Sequence, residues 1–214
     1  MKTIPLILAA AVFTLPGIVR GSAGMYDQFV FTSANGGALV FYDTGAVTGN
    51  TDFQGASLGT FNRFVDSLAL GGQQKSYKNN GTDVLSHTTW WRIAELGGGF
   101  SGVTMPFQWN KGDAGAPPNL TNPGDQQWGG DTQGANGNPV EISGNVFTGL
   151  LNGTYTLEVY SQITTDGGDG SPLVLYTNNG GANFKATFTL VPEPSRALLL
   201  GFGAAGLAFR RRRQ

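Results

Sequence analysis

Apolar and polar residues alternate along this chain in short runs with a period of two, cut every few positions by Gly, Asn, Asp, Ser or Pro. The pattern is clearest where Tyr155, Leu157 and Val159 alternate with Thr156, Glu158 and Tyr160, and where Phe184, Ala186, Phe188 and Leu190 alternate with Lys185, Thr187 and Thr189. Successive side chains of a strand point to opposite faces, so each run has one face for a core and one for a wetter surface. The same reading predicts strands at 26–32, 38–42, 56–61, 65–70, 74–78, 86–93, 103–109, 140–143, 154–162, 173–176 and 183–190. Between the two end segments no stretch keeps a helical period.

Many short strands separated by turn residues predict an all-β protein. The expected architecture is a single antiparallel β-sandwich over residues 25–190, with Greek-key or jelly-roll-like connections. Leu150-Leu151-Asn152-Gly153-Thr154-Tyr155 resembles the tyrosine corner of Greek-key sandwiches, which implies a structural Tyr155 whose phenol bonds back to nearby backbone. The stretch 149–190 also resembles the end of a β-module of exported bacterial surface proteins, a likeness that carries no function. Residues 110–139, rich in Gly, Pro, Asn and Gln, read as one long irregular loop. It is expected to be a flexible insertion, with a binding loop as the alternative.

Both ends of the chain follow a different pattern. Residues 1–24 carry Lys2, an apolar run from Ile4 to Leu15, and small residues at Gly21, Ser22, Ala23 and Gly24. These are the three parts of a secretory signal peptide, with cleavage expected after Ala23 or Gly24, so Sec export and signal peptidase are implied partners. At the other end, Pro192-Glu193-Pro194 is followed by the uncharged apolar run 197–209 and by Arg210, Arg211, Arg212 and Arg213. The two prolines lack a backbone donor and hold the tripeptide extended. As a helix the run reaches only about 20 Å, short for a permanent span, and the arginines mark its cytoplasmic end.

Residues 191–214 resemble the bacterial PEP-CTERM sorting signal. The resemblance implies recognition of Pro192, Glu193 and Pro194 by exosortase, a short transmembrane helix at 197–209 and a basic stop at Arg210 to Arg213. It further implies delivery to the cell envelope or extracellular matrix of an exopolysaccharide-producing bacterium, with the tail anchored in the inner membrane for a time or permanently.

Charge and composition narrow the partners. Seven of the thirteen basic residues lie in the two end segments, whereas thirteen of the fourteen acidic residues lie between them. An acidic domain offers no basic patch for counterion release and is not expected to bind nucleic acid. The chain has no cysteine, so neither disulfides nor thiol chemistry enter.

Catalytic constellations are sparse. His87 is the one histidine, expected in a strand with no second histidine for a zinc site and no nucleophile elbow. Glu95, Glu141 and Glu158 are the glutamates of the domain, and nothing in their spacing marks a glycosidase pair. Glu158 is expected on the outward, solvated side of its strand. Asp166-Gly167-Gly168-Asp169-Gly170-Ser171 offers Asp166 and Asp169 as oxygen ligands for Ca²⁺, the one cofactor considered, or reads equally as a capped turn. Trp90 and Trp91 must point to opposite faces of a strand, and Trp128 falls in the expected loop. Trp91 and Trp128 are therefore the candidate platforms for a sugar ring, against the general tendency of indoles to be buried.

The functional expectation is a non-catalytic exported cargo protein with a structural or interaction role. A glycan-binding module is the alternative, with exopolysaccharide or another matrix glycan as partner, and a carbohydrate-active enzyme stands behind it.

Overall fold

The computed structural model describes residues 22–193, apart from 47, 80, 117, 131–142 and 169. The expected signal helix, the transmembrane helix at 197–209 and the basic stop lie outside the described residues. Among the described residues no helix is long and apolar enough to cross a membrane.

The regular structure of the described residues is almost entirely strand: β1 (Ala23–Ala34), β2 (Leu39–Asp43), β3 (Thr51–Asp52), β4 (Ser57–Asn62), β5 (Leu68–Lys78), β6 (Val84–Ile93), β7 (Ser101–Met105), β8 (Phe107–Asn110), β9 (Asp125–Gly129), β10 (Gly153–Thr165), β11 (Leu173–Thr177) and β12 (Phe184–Val191). The first sheet runs β3-β2-β1-β5-β9-β8, and the second β4-β12-β10-β6-β7, with β11 paired to β10. Most pairs are antiparallel, but β12 with β4 and β2 with β3 run parallel. The sheets are therefore mixed, which corrects the purely antiparallel expectation. Periodicity fixes the face a residue occupies but not the direction of its partner strand.

Between the sheets lies one apolar cluster, including Val30, Phe53, Leu70, Met105, Trp128, Leu157, Ile163 and Phe188. A buried polar link joins the two layers: Gln74 of β5 donates to Thr89 Oγ1 at 2.9 Å and accepts from Ser161 Oγ at 3.1 Å. Buried polar groups need such partners, so this link ties the register of one sheet to the other.

Three local differences from the pattern have physical causes. The expected strands 65–70 and 74–78 are one continuous β5, because the Phe31 ring of β1 fills the space above Gly71. A Cβ at that position would fall 1.9 Å from the ring. The expected strand 103–109 is two: Pro106 breaks the ladder, and the chain passes from β7 in the second sheet to β8 in the first. The expected loop 110–139 contains β9, hydrogen-bonded between β5 and β8. Its Asp-Gln-Gln-Trp sequence has no apolar alternation, yet all five of its residues are buried.

The tyrosine corner is present. Tyr155 donates its phenol O–H to Leu151 O at 3.0 Å, and its ring stacks on Phe188. Tyr155→Phe is expected to cost about 1 kcal/mol in urea unfolding, the worth of one hydrogen bond, with the fold retained.

Candidate functional site

The C-terminal sorting segment is set by the last strand. Leu190 and Val191 of β12 pair with Phe61 and Asn62 of β4, and Arg63 N donates to Val191 O at 3.3 Å. Pro192 and Glu193 follow directly and are exposed. Proline cannot donate to a ladder, so the sheet stops where the rigid tripeptide begins. Pro194 and the four arginines lie outside the described residues.

The aromatic candidates are placed differently from the expectation. Trp128 lies on β9 at 7% exposure, not in a loop, and its indole Nε1–H donates to Ser76 Oγ at 3.1 Å inside the sandwich. Trp91 is half-buried against the core, with its indole nitrogen buried and unpartnered. The opposite-face rule holds for the neighbouring pair, with the two residues reversed: Trp90 takes the outer face of the second sheet. Its ring lies over Gly102, where a Cβ would come within 2.6 Å, and stacks on Tyr160. Phe100 meets Tyr160 edge-on at 5.0 Å, and Tyr176, 54% exposed, flanks it at 6.2 Å.

The same outer face carries Glu158, which is not solvated as expected but 4% exposed. Arg92 Nε lies 2.7 Å and Lys185 Nζ 3.2 Å from its two carboxylate oxygens, and the Arg92 guanidinium sits 4.4 Å from the centre of the Phe100 ring. Burial works to raise the Glu158 pKa, but the hydrogen bonds and charges of Arg92 and Lys185 outweigh it and hold the carboxyl below its ordinary range. Glu95 is likewise held low. Burial opposes ionisation there too, and Thr156 N–H donates to both its oxygens, at 3.0 and 2.8 Å. Both carboxylates are thus engaged by the sheet itself, and Glu141 lies outside the described residues.

His87 is completely buried on the inner face of β6 beside the Trp128 ring, and neither ring nitrogen has a hydrogen-bond partner. Desolvation lowers its pKa to about 3, so the imidazole is neutral at physiological pH. At the Asp166 turn, one carboxylate oxygen accepts from Asp83 N at 2.9 Å and Gly168 N at 3.1 Å, and Asp169 lies outside the described residues. Among the described residues no group of three or more His, Cys, Asp or Glu is placed to hold a metal ion.

The fold and the chain end define a class: an all-β sandwich with a sorting segment attached directly to its final core strand. Residues 190–213 match the family model of the PEP-CTERM protein-sorting motif. The chain thus carries a PEP-CTERM sorting motif at residues 190–213, which marks it as an exported protein sorted by exosortase to the cell envelope or extracellular space. No curated protein and no solved structure matches the sequence. The match begins at residue 190, so the likeness of 149–190 to a β-module stays a resemblance only.

Proposed function

We propose that the β-sandwich is a non-catalytic interaction domain which exosortase sorting delivers to the envelope or matrix. The observation that carries this reading is the junction: the sorting motif starts within β12, so the folded domain and the sorting signal form one continuous unit. In this reading the protein works without a cofactor, and the Asp166 turn serves the fold. A glycan partner is compatible with it, though not through Trp91 and Trp128, whose rings pack toward the core. The tail segment 197–209 holds the chain in the inner membrane until exosortase acts.

Fractionation of cells expressing Pro192→Ala/Glu193→Ala/Pro194→Ala tests the reading. The variant is expected to accumulate in the inner membrane, whereas the native chain moves on to the outer envelope or medium. Identical distributions of the two would overturn the sorting role of the tripeptide.

A further inference from the structure

One concavity in the described part of the molecule lies away from both the aromatic face and the sorting tail. It has a volume of about 590 Å³ where β1, β5 and the start of β9 meet the loop before β9. That is within the roughly 300–1,000 Å³ of small-ligand sites. Tyr26, Asp27, Tyr77, Asn119 and Asp125 line it, with Lys78 and Asn79 at one side. Lys78 and Asn79 also line a second hollow of about 410 Å³ together with Thr82 and Asp83, so the two form one groove.

The groove is built rather than incidental. Asp125, buried at 2% exposure, accepts from the backbone N–H groups of Thr121 and Asn122 at 2.9 and 2.8 Å, which fixes the loop as a wall. Gly124 closes that wall onto β5 with φ +89°, and a Cβ there would meet Lys78 O at 2.0 Å. Only glycine permits this approach. Tyr77, which lines the groove, is 37% exposed, and its ring lies against Gly24, where a Cβ would fall 2.8 Å away. Each half of the groove contains a buried hydroxyl without a well-formed hydrogen bond: Tyr26 beside Asp125, and Thr82, itself only 6% exposed. Buried polar atoms left in this condition call for a partner. Burial, then the Asp125 and Asp27 carboxylates, push the Tyr26 pKa up, so its phenol keeps its proton and remains a donor.

The lining also selects a ligand type. Of three carboxylates at the groove, Asp83 is paired with Lys78 at 2.7 Å and Asp27 with the buried Lys75 behind it at 3.3 Å, which leaves Asp125 as the surplus negative charge. Polyanions are repelled by this surplus. A ligand dense in hydroxyls satisfies it, since each hydroxyl donates to a carboxylate or amide oxygen and accepts from an amide, a phenol or a threonine. An exposed tyrosine face beside such groups suits the C–H face of a sugar ring.

We propose that this groove binds a neutral saccharide segment of a glycan chain, with Tyr77 as the stacking surface and Asn119, Tyr26 and Asp125 as hydrogen-bonding groups. The proposal rests on the interaction role above and names its partner class. Its test is independent of sorting, because the tail variant is expected to bind as the native chain does.

The experiment is isothermal titration calorimetry of the exported protein with neutral hexose oligosaccharides, using oligogalacturonate as the acidic control. Variants are Tyr77→Ala and Asn119→Ala in the groove and Tyr176→Ala on the opposite sheet, each checked for native circular dichroism. Binding of at least one neutral probe, weakened roughly tenfold or more by Tyr77→Ala and Asn119→Ala and unchanged by Tyr176→Ala, is expected. Three results would each overturn the proposal: no neutral probe binds, oligogalacturonate binds as tightly, or Tyr176→Ala abolishes binding while Tyr77→Ala does not.

Discussion

On acidification the folded domain is expected to lose about 4 kcal/mol by about pH 3.5 through His87 alone. In the native state burial holds the His87 pKa at about 3, while in the unfolded chain it returns to the ordinary 6.5. As pH falls below 6.5 the unfolded state takes up a proton that the folded state refuses, so stability is full above 6.5 and declines progressively toward 3. The predicted loss is a large share of the roughly 5–15 kcal/mol that holds a typical domain together. Glu95 and Glu158, whose folded pKa values are depressed, add a second loss that begins only below their unfolded value of 4.5. The two contributions separate by variant. His87→Leu removes the titrating ring beside Trp128 without leaving a buried polar atom, and should flatten stability between pH 6.5 and 4.5 and leave only the carboxylate contribution to the fall below 4.5. Urea denaturation across that pH range is the measurement. An unchanged slope in the variant would mean that His87 is not held neutral by the core.

Phe188→Ala is expected to cost about 3–5 kcal/mol in the same assay, the range for emptying a buried aromatic site. Phe188 is 1% exposed on β12, between β4 and β10, and its ring centre lies 5.3 Å from that of Phe147 and 5.6 Å from that of Tyr155. Phe147 in turn packs on Phe61 of β4. Truncation therefore opens a void shared by β4, β10, β12 and the loop before β10, the elements that hold the strand from which the sorting tail leaves. A loss below about 1 kcal/mol would mean that the cluster collapses around the void and that the ring stack is not central to the core.

Much of this architecture is legible in the pattern of residues, for reasons that differ from element to element. β10 and β12 alternate because each has one face on the apolar cluster, and their boundaries differ from the expected ones by at most three residues. Tyr155 is readable because the corner depends on local spacing. β9 is not readable, because its polar side chains are buried through tertiary contacts: Asp125 anchors a loop and Trp128 bonds to Ser76. The Gly71-Gly72 pair looks like a break until Phe31 is known to lie over it. Trp90 and Trp91 show where period-two reasoning ends, since alternation places them on opposite faces without saying which face is the core. The groove joins residues from β1, β5 and the 119–125 region, and nothing in their linear spacing announces it.

The tail is the opposite case. Its Pro-Glu-Pro element, apolar run and arginines are contiguous, so the sorting signal needs no tertiary structure to be recognised. The measurement that tests the central claim most directly is intact mass with C-terminal sequencing of the native protein recovered from envelope and medium. A chain ending near Pro192, without the apolar run and Arg210 to Arg213, is the predicted result. A chain intact through Gln214 in both fractions would contradict the account of the protein as processed, sorted cargo.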